Sequence, residues 1–128
     1  MKKSIFYLLF LLFLPFLVEA QLSTDNKKAI KYFDESTIYM NRRQYPEAVN
    51  VLLQAVDKDE DFYEAYIRLG NCFRILSANE RAEEAFKNAI KSGPEAKVLT
   101  AYFELGEVQF LQGKYDLAVE NLNAYVEK

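Results

Sequence analysis

Histidine and tryptophan are absent from the 128 residues, cysteine occurs once, and glycine and proline number only 4 and 3. Each scarcity removes a class of chemistry. Without histidine there is no Ser-His or Cys-His nucleophile pair and no histidine-ligated metal. With Cys72 alone, no disulfide can form within the chain. The few glycines are too scattered to build a phosphate-cradling loop. The 19 acidic and 16 basic residues leave a formal charge of −3, a mild acidity that argues against nucleic acid or an anionic membrane surface as partner. No cofactor, metal or small-molecule substrate is expected, and the chain does not read as an enzyme.

The one long apolar run lies at the start. Lys2-Lys3, the stretch from Ile5 to Val18, and Val18-Glu19-Ala20 before Gln21 form a basic start, a hydrophobic core and a small-x-small cleavage site. The apolar stretch contains Pro15 and is shorter than the roughly 20 residues of a spanning helix. A cleaved secretory signal over residues 1–20 is the expectation, followed by a linker at 21–28. Its removal takes away Lys2, Lys3 and Glu19 and moves the formal charge from −3 to −4.

Beyond the leader the chain repeats itself. Leu69-Gly70 recurs as Leu105-Gly106, and Ala48, Ala82 and Ala118 are each followed four residues later by Leu52, Phe86 and Leu122, at spacings of 34 and then 36. A period near 34 that reads as two short amphipathic helices marks a helical array. A glycine inside a helix costs about 1 kcal/mol relative to alanine, so Gly70 and Gly106 need a packing reason. Close approach of the partner helix supplies one, with Ala82 and Ala118 expected to face them and Phe86 and Leu122 filling the space one turn on. Pro46 suits the first turn of a second helix. Gly113 suits a left-handed helix end, and Gly93-Pro94 is expected to close its helix in the same way. No stretch asks for a strand.

These residues resemble the tetratricopeptide repeat family. Copy two is the cleanest: Tyr66, Leu69, Gly70 and Phe73, then Ala82, Phe86 and Ala89, then Pro94, with Tyr66 replacing the family's Trp. Copy one keeps Tyr32, Tyr39, Ala48, Leu52 and Ala55 but has Glu35-Ser36 in place of Leu-Gly. Copy three has Gln109 at an expected aromatic position and Tyr125 at an expected small one. The resemblance implies an all-α solenoid of about three helix-turn-helix repeats, at 29–62, 63–98 and, incomplete, 99–128. Turns are expected near 42–45, 58–61, 76–79, 93–95 and 112–115. Cys72, aligned with Ile38 and Val108, reads as a buried structural thiol. Asp57, Asp59-Glu60-Asp61 and Glu83-Glu84 read as solvated charge at a turn and on a helix face.

Carrying the family's concave positions onto this chain gives a partner-binding groove of Phe33, Thr37, Met40, Ile67, Asn71, Arg74, Phe103, Glu107 and Phe110. Phe33, Ile67 and Phe103 line up as an apolar stripe suited to an apolar peptide or amphipathic helix. Asn71 and Arg74 are expected to orient it. The family's carboxylate clamp is missing, because its places hold Phe33, Thr37, Thr100 and Glu104. At the other end, Val119, Leu122, Tyr125 and Val126 would lie on an uncapped last helix, which points to self-association or to a continuing chain. A leader followed by such repeats also resembles the start of larger Gram-negative envelope proteins. The expected function is therefore a non-catalytic scaffold in the periplasm or at the outer membrane, holding a protein or peptide partner in its groove. The alternative is a structural spacer or oligomerisation module whose groove is filled by its own protein.

Overall fold

Asn26 opens the first helix by accepting the backbone N–H groups of Lys28 and Ala29 on its side-chain oxygen, at 3.0 and 3.1 Å. The computed structural model describes residues 21–127, so the expected leader at 1–20 and Lys128 lie outside the described residues. Six helices follow in order: α1 (Lys27–Asn41), α2 (Tyr45–Lys58), α3 (Tyr63–Ile75), α4 (Asn79–Ser92), α5 (Val98–Leu111) and α6 (Tyr115–Glu127). There is no strand among the described residues. Each helix packs mainly on its neighbours in the chain, which gives three hairpins stacked in a row. The all-α solenoid expected from the repeat is the observed fold.

One turn closes all three hairpins. Arg43, Ser77 and Gly113 stand at φ 57, 58 and 73, in the left-handed region. The next residue in each case donates back across the turn, Gln44 to Tyr39, Ala78 to Phe73 and Lys114 to Gln109, at 2.8–2.9 Å. These are Schellman turns, in which a left-handed residue lets the last carbonyls of a helix find donors. Only the third uses glycine. Gly93 does not follow this pattern, contrary to expectation: its φ of −76 and ψ of 147 are extended. Its lack of a side chain is steric, since a Cβ there would stand 2.5 Å from Tyr63 Cδ2 and 2.8 Å from Val98 Cγ1.

Small residues let the paired helices approach, and large ones fill the gaps. Ala48, Leu52, Ala55, Phe62, Cys72, Ala82, Phe86 and Ala89 have no exposed surface. Burial pushes the Cys72 thiol up, favouring its protonated form, against a smaller opposing effect from Arg68. The space beside Gly70 is taken by the ring of Phe86 rather than by Ala82, and that beside Gly106 by Leu122 and the Ala118 carbonyl.

Residues 21–26 form a docked strap. Ser23 Oγ accepts the N–H of Tyr63 at 2.9 Å and donates to Glu64 Oε2 at 2.6 Å, while its own N–H also reaches Glu64 Oε2 at 3.0 Å. Phe62, the residue before α3, has no side chain able to cap, so Ser23 caps that helix from 40 positions away. Thr24 bonds Asp59, Asn26 donates to the Lys58 carbonyl, and Lys97 reaches both Glu64 and the Gln21 carbonyl at 2.7 Å. Burial alone would raise the Glu64 carboxyl, but Lys97 and Ser23 outweigh it and hold it below the usual range.

Candidate partner-binding face

The first helices of the hairpins, α1, α3 and α5, present the expected groove residues, and two arginines on α3 divide them. Arg68 crosses to α1. Its guanidinium carbon lies 3.5 Å from the Phe33 ring centroid, and Nη1 reaches the Phe33 carbonyl, Ser36 Oγ and Thr37 Oγ1 at 2.8, 3.0 and 2.7 Å. Phe33 also packs on Phe62, ring centroids 4.9 Å apart, and is only 6% exposed. It is core, and the expectation that it anchors a ligand is corrected. Thr37, though exposed, already accepts from Arg68. Met40 and Ile67 are half-buried against the same core.

Arg74 crosses the other way, to α5. Nη1 donates to Glu107 Oε2 at 2.9 Å and lies 2.8 Å from Glu104 Oε2, while Nη2 donates to Asn71 Oδ1 at 3.2 Å. Glu104 Oε2 is sealed from solvent and in ionic contact with Arg74, yet receives no hydrogen bond. Burial raises the Glu104 carboxyl, Arg74 opposes this and Glu107 adds to it; the outcome is a pKa above the usual value. Asn71 and Arg74 were expected to face a ligand. They bond each other, and two carboxylates one turn apart on α5 also hold the guanidinium, while Arg74 keeps a side open to the hollow beside it.

What remains open is the end of the face formed by α5 and α6. Arg74, Phe103, Glu107, Phe110, Leu111 and Leu122 line a hollow of about 340 Å³. Phe103 is 37% and Phe110 59% exposed. Each pairs with a tyrosine of α6: Phe103 with Tyr125 and Phe110 with Tyr115, both at 5.4 Å between centroids. Of the nine expected groove residues, Arg74, Phe103, Glu107 and Phe110 thus come together in one place. Leu122 was missed as part of it, and so were the two tyrosines that pack on its phenylalanines. Tyr125 at a position where the family carries a small residue was the available signal.

Behind this hollow a buried polar network ties α4, α5 and α6. Gln109 stands where copy two has Phe73, and its amide donates to Glu83 Oε1 at 3.3 Å while its oxygen accepts from Asn121 at 2.8 Å. Glu83 also receives Lys87 at 2.7 Å and Lys114 at 2.6 Å. Burial would raise the Glu83 carboxyl, but Lys114, Lys87 and Gln109 outweigh it and hold it at about 2. Glu83 is buried, so its reading as solvated charge is corrected. The departure of Gln109 from the repeat pattern is explained by the three helices it joins.

Comparison with known proteins agrees with this geometry. The "Crystal structure of MamA" superposes with a TM-score of 0.74 at 21% identity, covering 80% of this chain and 59% of that one, so the chain spans well under two thirds of that protein's length. The second tetratricopeptide domain of Spaghetti (RPAP3), solved with the HSP90 peptide SRMEEVD, gives 0.72 at 16% identity, covering 85% and 97%. The TPR2B domain of yeast Sti1, solved as a complex with pHsp70, gives 0.71 at 21%, covering 77% of each. No curated protein matches the chain. The tetratricopeptide repeat model matches residues 33–97 and 76–128. With that coverage, and with three Schellman-closed hairpins stacked in register, the chain belongs to the tetratricopeptide repeat family, whose fold is generally a non-catalytic scaffold for protein–protein interaction.

Proposed function

We propose that the protein is an exported scaffold of a bacterial envelope, and that it holds an apolar peptide or one face of an amphipathic helix in the hollow between α5 and α6. The observation that carries this reading is the exposed pair Phe103 and Phe110 over Leu122, with Glu107 as the polar edge. Large apolar side chains left open in a concave site are the usual anchors of a partner. The peptides bound by the second domain of Spaghetti and by Sti1 support a peptide ligand in general. They do not support the same ligand, since Phe33 is buried and Thr37 is held by Arg68 where the family's carboxylate clamp would stand. Export rests on the basic start, apolar run and small-x-small site before Gln21. Cleavage there leaves the Gln21 carbonyl, and so its bond from Lys97, in place.

A second reading is favoured by α6, where Val119, Tyr125 and Val126 are exposed, Val126 by 78%. In it the hollow and α6 are covered by the chain's own protein or by a second copy, and the repeats act as a spacer or oligomerisation module. Capture from envelope extracts separates the two. Phe110→Ala should weaken capture of a partner about thirtyfold, as loss of a buried aromatic anchor does, while the helical signal is unchanged. If Phe103→Ala and Phe110→Ala leave capture intact and Val126→Glu abolishes it together with self-association by light scattering, the spacer reading stands.

A further inference from the structure

The opposite side of the solenoid carries a second groove. It runs between α2 and α4, the second helices of the first two hairpins, and consists of two adjoining hollows of about 330 and 340 Å³ that share Leu53, Val56, Tyr66 and Asn88. Its floor is apolar. Leu69 and Phe73 lie beneath one hollow, and Leu53, on the wall, is 41% exposed. None of these residues belongs to the face described above.

The two ends of this groove differ in charge. At one end Asp57, Glu60 and Asp61 stand against one ammonium, Lys91. Asp57 is bridged by Lys58 at 3.1 Å, but no basic side chain among the described residues is paired with Glu60 or Asp61. The last turns of α2 and α4 meet there, adding the partial negative charge of two helix C-termini. Tyr66, in the floor, reports the field: burial raises its hydroxyl, and Glu60, Asp61 and Asp59 raise it further. At the far end Arg81 lies over the Phe73 ring at 4.2 Å, and Glu84 lines the same hollow, so one charge of each sign stands there. The result is an apolar trough that is negative at one mouth and balanced in charge at the other.

We propose that this groove binds a partner protein segment with large apolar side chains on one face and lysine or arginine at one end, the basic end seated against Asp57, Glu60 and Asp61. Charge complementarity fixes the direction in which the segment lies, and the shared lining of Leu53, Val56 and Tyr66 receives its apolar face. The protein would then hold two partners at once, one on each side of the solenoid.

The probe is a labelled synthetic amphipathic peptide of about 14 residues, the length of the flanking helices at ~1.5 Å per residue, with leucines on one face and three lysines at one end. A control carries three glutamates in their place. Binding to the mature protein is followed by fluorescence anisotropy and by methyl resonances of Leu53, Val56 and Leu122. The lysine peptide should bind about tenfold or more tightly than the control and shift Leu53 and Val56. The double substitution Asp57→Lys, Glu60→Lys, at exposed positions, should erase or reverse that preference, and Leu53→Glu should abolish binding. Equal affinity for the two peptides, no binding of either, or shifts confined to Leu122 would overturn the proposal. The last of these results would leave the α5–α6 hollow standing as the site while removing this one.

Discussion

Phe86 occupies the space that a side chain on residue 70 would need: a Cβ added to Gly70 would stand 2.4 Å from Phe86 Cε1 and 2.5 Å from Cζ. Phe86 is fully buried, so its ring has nowhere to swing. Gly70→Ala should therefore destabilise the fold by roughly 1–3 kcal/mol, although alanine is the better helix former. Copy one carries Ser36 and Leu52 at the same two positions. The pair Gly70→Ser, Phe86→Leu should accordingly melt above Gly70→Ser alone; if the second change brings no recovery, the contact is not what demands glycine.

Arg43 and Ser77 hold a backbone conformation that glycine adopts without cost. Ser77→Gly should raise stability by about 1 kcal/mol, the order of the left-handed penalty. Gly113→Ala should lower it by a similar ~1 kcal/mol, through the backbone alone, because nothing lies within 4 Å of the added Cβ. Denaturant midpoints compared at constant slope measure both.

Glu83 makes the packing of the last two hairpins acid-sensitive. Its carboxyl titrates near 2 in the folded protein and from an ordinary value of 4.5 when unfolded. A depressed carboxyl contributes stability that is complete above pH 4.5 and drains away as pH falls toward 2. Glu83→Gln should be less stable at pH 7 and should lose less of its stability between pH 5 and pH 2 than the parent. Parallel pH profiles for the two proteins would exclude this role.

Arg74 neutralises a carboxylate that burial disfavours. Arg74→Met leaves Glu104 in place without its cation and should cost about 1–3 kcal/mol. Adding Glu104→Gln removes the orphaned charge and should recover much of that loss. Because the Glu104 carboxyl is raised in the folded state, its contribution to stability falls as pH climbs from 4.5 through the folded pKa. Glu104→Gln alone should flatten that decline. A double-mutant cycle with no coupling would show the two side chains to be independent.

The parts of this fold legible in the sequence are those written in period. Spacings of 34 and 36 place the helices, and Leu69-Gly70 with Phe86 places the tight hairpin. The turns were located without their mechanism, since Arg43 and Ser77 carry no sign of a left-handed backbone that only Gly113 advertises. The binding face was half legible. Family positions brought Phe103, Phe110, Arg74 and Glu107 to one place, but position alone cannot tell an open phenylalanine from a covered one. Phe33 is covered because Arg68, 35 residues later, lies on it, and such a contact has no local signature. Gln109 appeared as a lapse in the repeat; its reason lies with Glu83 and Asn121, on two other helices.

In a stack of hairpins where each touches only the next, either end can fray without consulting the other. The strap changes that. Lys97 holds the Gln21 carbonyl across 76 positions, and Ser23 caps a helix that begins in the second hairpin. Opening the first hairpin therefore also uncaps the second and takes one of its two partners from the lysine that leads into the third. Melting should run as one cooperative event rather than as a zipper opening from its end. Hydrogen exchange would read this as near-uniform protection of the helix cores from the first hairpin to the third.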